Sequence, residues 1–237
     1  MYSQIRRDII RGRNPVRAKR NRVFHKYGGY GELGVGSKRL DVILRAYRRE
    51  IMLLTCREAL KLAERFYRSE FEEMKLAGNY ILKRRNQCIE KGNLAVLDRV
   101  ARGLSSWSQT DDFCIGVLQP LLERHPKETI GLLRAWNGSG SVWKRRASVV
   151  AFVRKVGESG KYTDAALRLC ENLIWDKEDL VCKGVGWCLK DVMRGDRERV
   201  LAYVRGLRKR GVSAVITLYA IRDLGRAEHG GGPCIKD

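Results

Sequence analysis

Proline is scarce in this chain, four in 237 residues, and runs that alternate apolar with polar residues are few. Both shortages argue against a sheet, while apolar residues recur at three- and four-residue spacing, so the expected fold is all-helical. No apolar stretch approaches the roughly twenty residues that a membrane span needs. The opening "MYSQIRRDIIRGR" also lacks the apolar core of a signal peptide. A soluble, cytoplasmic protein is expected. The three histidines, His25, His125 and His229, lie far apart and none is spaced with a cysteine, so no zinc site can be drawn and neither metal nor other cofactor is expected. Seven cysteines, an odd number with no CxxC pair, point to a reducing compartment.

Acidic residues are short as well. Forty-eight Lys and Arg stand against 27 Asp and Glu, a formal charge of +21 that exceeds what solubility requires and points to a polyanion, with nucleic acid as the default partner. Residues 1–50 hold fourteen basic and four acidic side chains, a surplus of ten, so phosphate contacts are expected there. In "NPVRAKRNRVF", Asn14 has the place of an N-cap and Pro15 that of the first helical residue. A basic disordered tail is the alternative for this segment.

Start signals recur every fifteen to twenty residues. "TCRE" (Thr55 to Glu58) and "SEFE" (Ser69 to Glu72) have the form of capping boxes, Gly92 and Asn93 stop one helix and cap the next, and His125 and Pro126 begin another. Helices are predicted over roughly 3–11, 15–27, 37–53, 56–66, 70–91, 94–103, 106–123, 126–135, 141–157, 162–174, 177–194, 197–208 and 211–225. Short connections make sequential helices antiparallel hairpins. A pair about every forty residues is the period of HEAT-type solenoids, so a single curved solenoid of antiparallel hairpins over 1–226 is expected. A helical bundle is the alternative, and "EHGGGPCIKD" reads as a disordered Gly-rich tail.

In such a stack, one helix of each pair lines the groove. The helices that start near 106, 141 and 177 each carry a tryptophan beside a charge. Trp107 and Asp111 are four residues apart, Trp143 and Arg146 three, and Lys183 and Trp187 four, so each couple shares a helix face. Gly184 and Gly186 allow a backbone or a ligand to approach Trp187 closely. Taken singly, each tryptophan is better read as core and each charge as a solvated face. Trp136 and Trp175, without a matching charge, are assigned to packing or helix ends.

The order "WSQTD", "WKRRA", "CKGVGWCLKDV", with "NPVRAKRNRVF", "YGELGVGSKRL" and "YRSEFEEMKLAGNYIL" upstream, resembles the AlkD-like alkylpurine DNA glycosylases of the DNA alkylation repair family. The likeness covers roughly residues 14–224. It implies that Trp107 and Trp187 wall the deoxyribose of a lesion, that Asp111 is the catalytic carboxylate and that Arg146 holds a phosphate beside it. Asp112, next to Asp111, leaves the register open by one residue. Arg145, Lys144, Trp143, Lys183 and the basic cluster of residues 17–22, with Arg17 and Arg20, are the expected backbone contacts. Ser108 stands where an Asp is common in the family, Gly36 where a polar groove residue is frequent, and Asp179 and Leu180 where aromatics occur.

The chemistry behind those roles is independent of the resemblance. Alkylation at N3 or N7 gives a purine positive charge and makes it a good leaving group, so cleavage runs through an oxocarbenium-like sugar. A nearby carboxylate stabilises that cation, and desolvated indole faces add about 0.5–2 kcal/mol each. The expected function is therefore a monomeric, monofunctional glycosylase acting on alkylated bases in double-stranded DNA, and the family resemblance implies that it acts without base flipping. Two alternatives are a non-catalytic helical protein that binds branched or structured nucleic acid and a helical protein-interaction adaptor. Asp111 separates the first from an enzyme, since a binding groove for phosphate has no need of an anion.

Overall fold

The computed structural model describes residues 1–24 and 30–224. The end of the helix expected over 15–27, His25 and the Gly-rich tail lie outside the described residues. Among the described residues the fold is all-α, with no strand and one isolated bridge between Gly31 and Phe71. No described helix is long and apolar enough to cross a membrane. The chain divides into two compact units, Met1–Ala135 and Trp136–Asp237.

Unit 1 holds α1 (Tyr2–Arg11), α2 (Pro15–Phe24), α3 (Ser37–Ala46), α4 (Arg48–Leu53), α5 (Cys56–Tyr67), α6 (Glu72–Arg84), α7 (Leu94–Arg102), α8 (Trp107–Phe113) and α9 (Gln119–Arg124). Helix α10 (Pro126–Asn137) crosses the division, with its last two residues, Trp136 and Asn137, assigned to unit 2. Helix α6 is the centre: α1, α3, α4, α5 and α8 all pack on it, and it is buried on nearly every side. Helix α5 is amphipathic, burying Ala59, Leu60, Ala63, Phe66 and Tyr67, the spacing of a single apolar stripe.

Unit 2 holds α11 (Val142–Val150), α12 (Lys155–Glu158), α13 (Thr163–Glu171), α14 (Asp179–Gly195), α15 (Arg197–Lys209) and α16 (Ala214–Ile221). Here α14 is the centre, with α11, α12, α13, α15 and α16 around it. Its glycine at 186 is required by close approach: a Cβ there would lie 2.7 Å from Tyr219 Cβ and 3.0 Å from the Ile216 carbonyl. The room expected for a ligand at Gly186 is thus taken by α16.

Several start signals act as expected. Asn14 Oδ1 accepts from Arg17 N at 2.9 Å, Thr55 and Glu58 form a reciprocal capping box, and Pro126 opens α10. The "SEFE" box does not form. Ser69 Oγ instead accepts from Phe71 N at 3.2 Å, α6 begins at Glu72, and the Glu72 carboxylate turns to the first turn of α8. Asn93 likewise accepts from Glu90 N and places no side-chain cap on α7.

Expected long helices break where tertiary bonds compete. The 37–53 helix divides at Tyr47, whose hydroxyl donates to Asp8 Oδ2 at 2.5 Å. The 70–91 helix ends at Arg84 and continues as two single 3₁₀ turns, because Arg85 reaches the Met52 carbonyl and Arg124 those of Asn86 and Ile89. The 106–123 helix widens to a π turn over Cys114–Leu118. Pro120 has no N–H for the carbonyl of Gly116, and Asn86 Nδ2 donates to Gly116 and Val117 instead, at 3.4 and 3.2 Å. The 141–157 helix stops at Val150 and resumes as the short α12. Cys56 and Cys88 are joined as a disulfide across 32 residues, against the expectation of reduced cysteines. Their separation in sequence carries no motif that could have announced the pairing.

Candidate functional site

Of the three couples that the tryptophan spacing singles out, one falls in unit 1 and two in unit 2. In unit 1 the cluster sits on α8. Ser106 is its N-cap, accepting from Gln109 N at 3.2 Å. Trp107 opens the helix and is 46 % exposed, whereas Asp111, one turn on, is only 9 % exposed. An accessible indole and a largely buried carboxylate therefore share one face. The neighbouring acid, Asp112, pairs with Lys83 Nζ at 2.7 Å.

Behind α8 lies a buried polar network that the sequence reading missed. Glu72 accepts hydrogen bonds from Ser106 Oγ at 2.9 Å, from Ser108 Oγ and from Gln109 Nε2. Gln109 Oε1 in turn accepts from Ser105 N, its carbonyl accepts from Asn79 Nδ2 at 3.0 Å, and Lys75 Nζ donates to Ser105 Oγ at 2.7 Å. Burial is the main influence on the Glu72 carboxyl and holds its pKa above the ordinary glutamate value, against the lowering effect of its three donors. Glu73 beside it accepts from the backbone N–H groups of Leu33 and Val35. The acidic pair at the start of α6 thus ties down the first turn of α8 and the loop before α3. Ser108, at the position that departs from the family pattern, is one of the donors.

Arg17 and Arg20 are exposed on α2. The Arg17 guanidinium lies over Gly36, where a Cβ would come within 2.8 Å of Nη1, so the missing side chain at Gly36 makes room for a cation. A cavity of about 480 Å³ beside it is lined by Asn14, Arg17, Gly34, Ser37, Lys38 and Arg39, among others.

In unit 2, Trp143 and Arg146 share α11. Trp143 is half-buried and Arg146 is buried, with Nη1 donating to the Leu180 carbonyl at 2.5 Å. Arg145 spends its fork inside the unit: Nε and Nη2 donate to Asp176 at 2.6 and 3.3 Å, and Nη1 donates to the carbonyls of Ser139 and Gly140. Buried Lys144 has its ammonium 5.8 Å from the centre of the Trp136 ring. Trp136 is core, as its lack of a charged neighbour in sequence suggests, while Trp175 follows α13 and is exposed.

On α14, exposed Lys183 pairs with Asp179 at 2.7 Å. Half-buried Trp187 lies one turn further, with the Arg154 guanidinium 5.9 Å from its ring centre. Arg154 was not among the expected residues. It has φ 56° and ψ −140°, a conformation whose cost for a non-glycine residue is about 1–3 kcal/mol. Its N–H donates to Asp191 Oδ2 at 2.6 Å. Among the described residues no cluster of His, Cys, Asp and Glu is arranged to hold a metal ion.

The arrangement can offer an anion beside an accessible indole in unit 1, and cations beside two indoles in unit 2. A family model described as "DNA alkylation repair enzyme" matches residues 5–224. No curated protein matches the chain significantly. Among solved structures, the chain is similar to a predicted DNA alkylation repair enzyme from Enterococcus faecalis, with a TM-score of 0.78 at 14 % identity, over 90 % of this chain and 97 % of that one. At that identity the likeness is one of fold.

Proposed function

The chain belongs to the family of DNA alkylation repair enzymes, and on that premise we propose that it is a monofunctional DNA glycosylase. Its substrates are cationic alkylated purines of the 3-methyladenine and 7-methylguanine type in duplex DNA, and its product is an abasic site. Asp111 is the catalytic carboxylate. It stabilises the positive charge that develops on the deoxyribose as the base departs, and it orients the attacking water. Trp107 presents its π face to that sugar, and the family resemblance assigns Trp187 a like role and Arg146 a phosphate. No base flipping is required, because the leaving group is already charged and needs no acid delivered to its edge. No lysine acts as a Schiff-base nucleophile, so no strand is cut.

The observation that carries this reading is the contrast along α8: a carboxylate held largely out of water, one turn from an accessible indole, in a chain whose formal charge is +21. Phosphate binding alone gives no reason to fix an anion there. A carboxylate with little competing water interacts more strongly with a nearby cation, since the effective dielectric falls with burial.

The deciding experiment is single-turnover release of 7-methylguanine from alkylated duplex by the parent and by Asp111→Asn. Loss of a charge that acts in the transition state is expected to slow release by roughly a hundredfold or more. Equal rates would remove Asp111 from the mechanism. Duplex binding without release by the parent would leave the non-catalytic alternative. Affinity for undamaged duplex is also expected to fall about a thousandfold between about 50 and 200 mM salt if six or more phosphates are neutralised.

A further inference from the structure

Among the described residues, Arg154 is the one non-glycine residue with a positive φ. Glycine would adopt that backbone without strain. Three residues later the chain does use glycine where crowding demands it: a Cβ at Gly157 would meet the Phe152 carbonyl at 2.5 Å and Val192 N at 3.0 Å. Arginine at 154 therefore stands in a conformation that opposes it, and something must both hold the backbone and repay the side chain.

The holder is Asp191, which is 1 % exposed. Its Oδ2 accepts from Arg154 N at 2.6 Å, and its own position is braced by Lys190 Nζ at 2.9 Å. Trp187 lies four residues earlier on α14 and so on the same face of that helix. One helix face thus grips the backbone of Arg154 through Asp191 and carries its guanidinium on Trp187. A guanidinium on an aromatic face keeps its N–H edge directed outward, in the planar fork that matches a phosphate, and Arg154 is exposed to solvent.

We propose that Arg154 is a phosphodiester-binding residue that uses the Trp187 indole as its platform and is kept there by a strained backbone that Asp191 enforces. This rests on the reading that the chain binds duplex DNA. It adds a phosphate contact that also restrains the indole assigned to the sugar.

The test uses the full chain, an undamaged DNA duplex and two variants, Arg154→Ala and Arg154→Gly. Both remove the guanidinium, and only the second relieves the backbone. Both are expected to bind about three- to tenfold more weakly at low salt, and the dependence of log K on log salt should flatten by about 0.9, the release of one phosphate contact. Arg154→Gly should melt about 3 °C or more above Arg154→Ala, so the fold gains where binding does not. If the parent binds duplex and either variant keeps its affinity and salt slope, Arg154 is not a phosphate ligand. A glycine variant that melts no higher than the alanine variant would show that no strain is held there. A parent that does not bind duplex would overturn this inference and the DNA-binding reading together.

Discussion

Helix α6 buries Glu72, Glu73, Lys75 and Asn79 at the centre of unit 1. Helix α14 fills the same place in unit 2 with Leu, Val, Cys and Gly over its first turns, and its buried charges, Lys190 and Asp191, come only near its end. The central helices thus differ in what they bury first, polar groups in unit 1 and apolar groups in unit 2. In unit 1 the donors to Glu72 are neutral, two serines and a glutamine. In unit 2 the arginines and Lys183 are tied by carboxylates and carbonyls: Arg145 by Asp176, Arg146 by the Leu180 carbonyl and Lys183 by Asp179. The buried anion of unit 1 is held by neutral hydrogen-bond donors, whereas the cations of unit 2 are tied by carboxylates or by a backbone carbonyl.

The most direct way to break this contrast is at Glu72. Replacement by Ala leaves the donors of Ser106, Ser108 and Gln109 buried without their acceptor, and should cost about 3 kcal/mol of stability in urea unfolding, with slower excision as α8 loosens. A loss below 1 kcal/mol would mean that the network does not anchor α8. The charge itself is tested by pH. Burial raises the Glu72 pKa in the folded protein above the ordinary 4.5, so the folded state holds this proton more tightly than the unfolded chain. Its contribution to stability is then complete below 4.5 and is lost as pH rises through the raised value. Glu72→Gln cannot titrate, so the Tm of the parent should fall relative to that of Glu72→Gln over this window. Parallel curves would place the Glu72 carboxylate outside this account.

Close packing offers the complementary break. Gly186→Ala drives a Cβ to 2.7 Å from Tyr219 Cβ, an atom fixed to the backbone of α16, and should destabilise unit 2 by about 2 kcal/mol. The matching change in unit 1, Gly78→Ala, meets the ring edge of Tyr67, also at 2.7 Å. A ring can shift where a Cβ cannot, so the cost should be smaller, about 1 kcal/mol. Calorimetry of both variants would sharpen the comparison, and the reverse ranking would refute it.

What was legible in the sequence follows from the range of the forces concerned. The caps at Asn14 and Thr55 and the helix start at Pro126 depend on neighbours within a turn and stand where expected, whereas four of the expected long helices divide. The pairing of Trp107 with Asp111 was readable for the same reason, since four residues on one helix fix a shared face. Partners far along the chain were not readable. Asp112 is engaged by Lys83, 29 residues away, and Arg145 by Asp176, 31 residues away. Glu72 looked like part of a local capping box, and only the burial of α6 on nearly all sides turns it toward α8. The break at Arg154 has no sequence signal, because its cause is the carboxylate of Asp191, 37 residues later.

The finest test compares two serines with the same local task. Ser106 caps α8 and Ser141 caps α11, accepting from Gln109 N at 3.2 Å and Lys144 N at 3.4 Å. Ser141→Ala should remove only a cap, about 0.5 kcal/mol for so long a bond. Ser106→Ala should cost more, about 1.5 kcal/mol, because it also takes a donor from a buried carboxylate. If that excess belongs to Glu72, it should vanish in a Glu72→Gln background, where Ser106→Ala would cost no more than Ser141→Ala. An excess that survives in that background would show that Ser106 acts through its own burial, and the carboxylate would then have no special hold on the helix that carries Asp111.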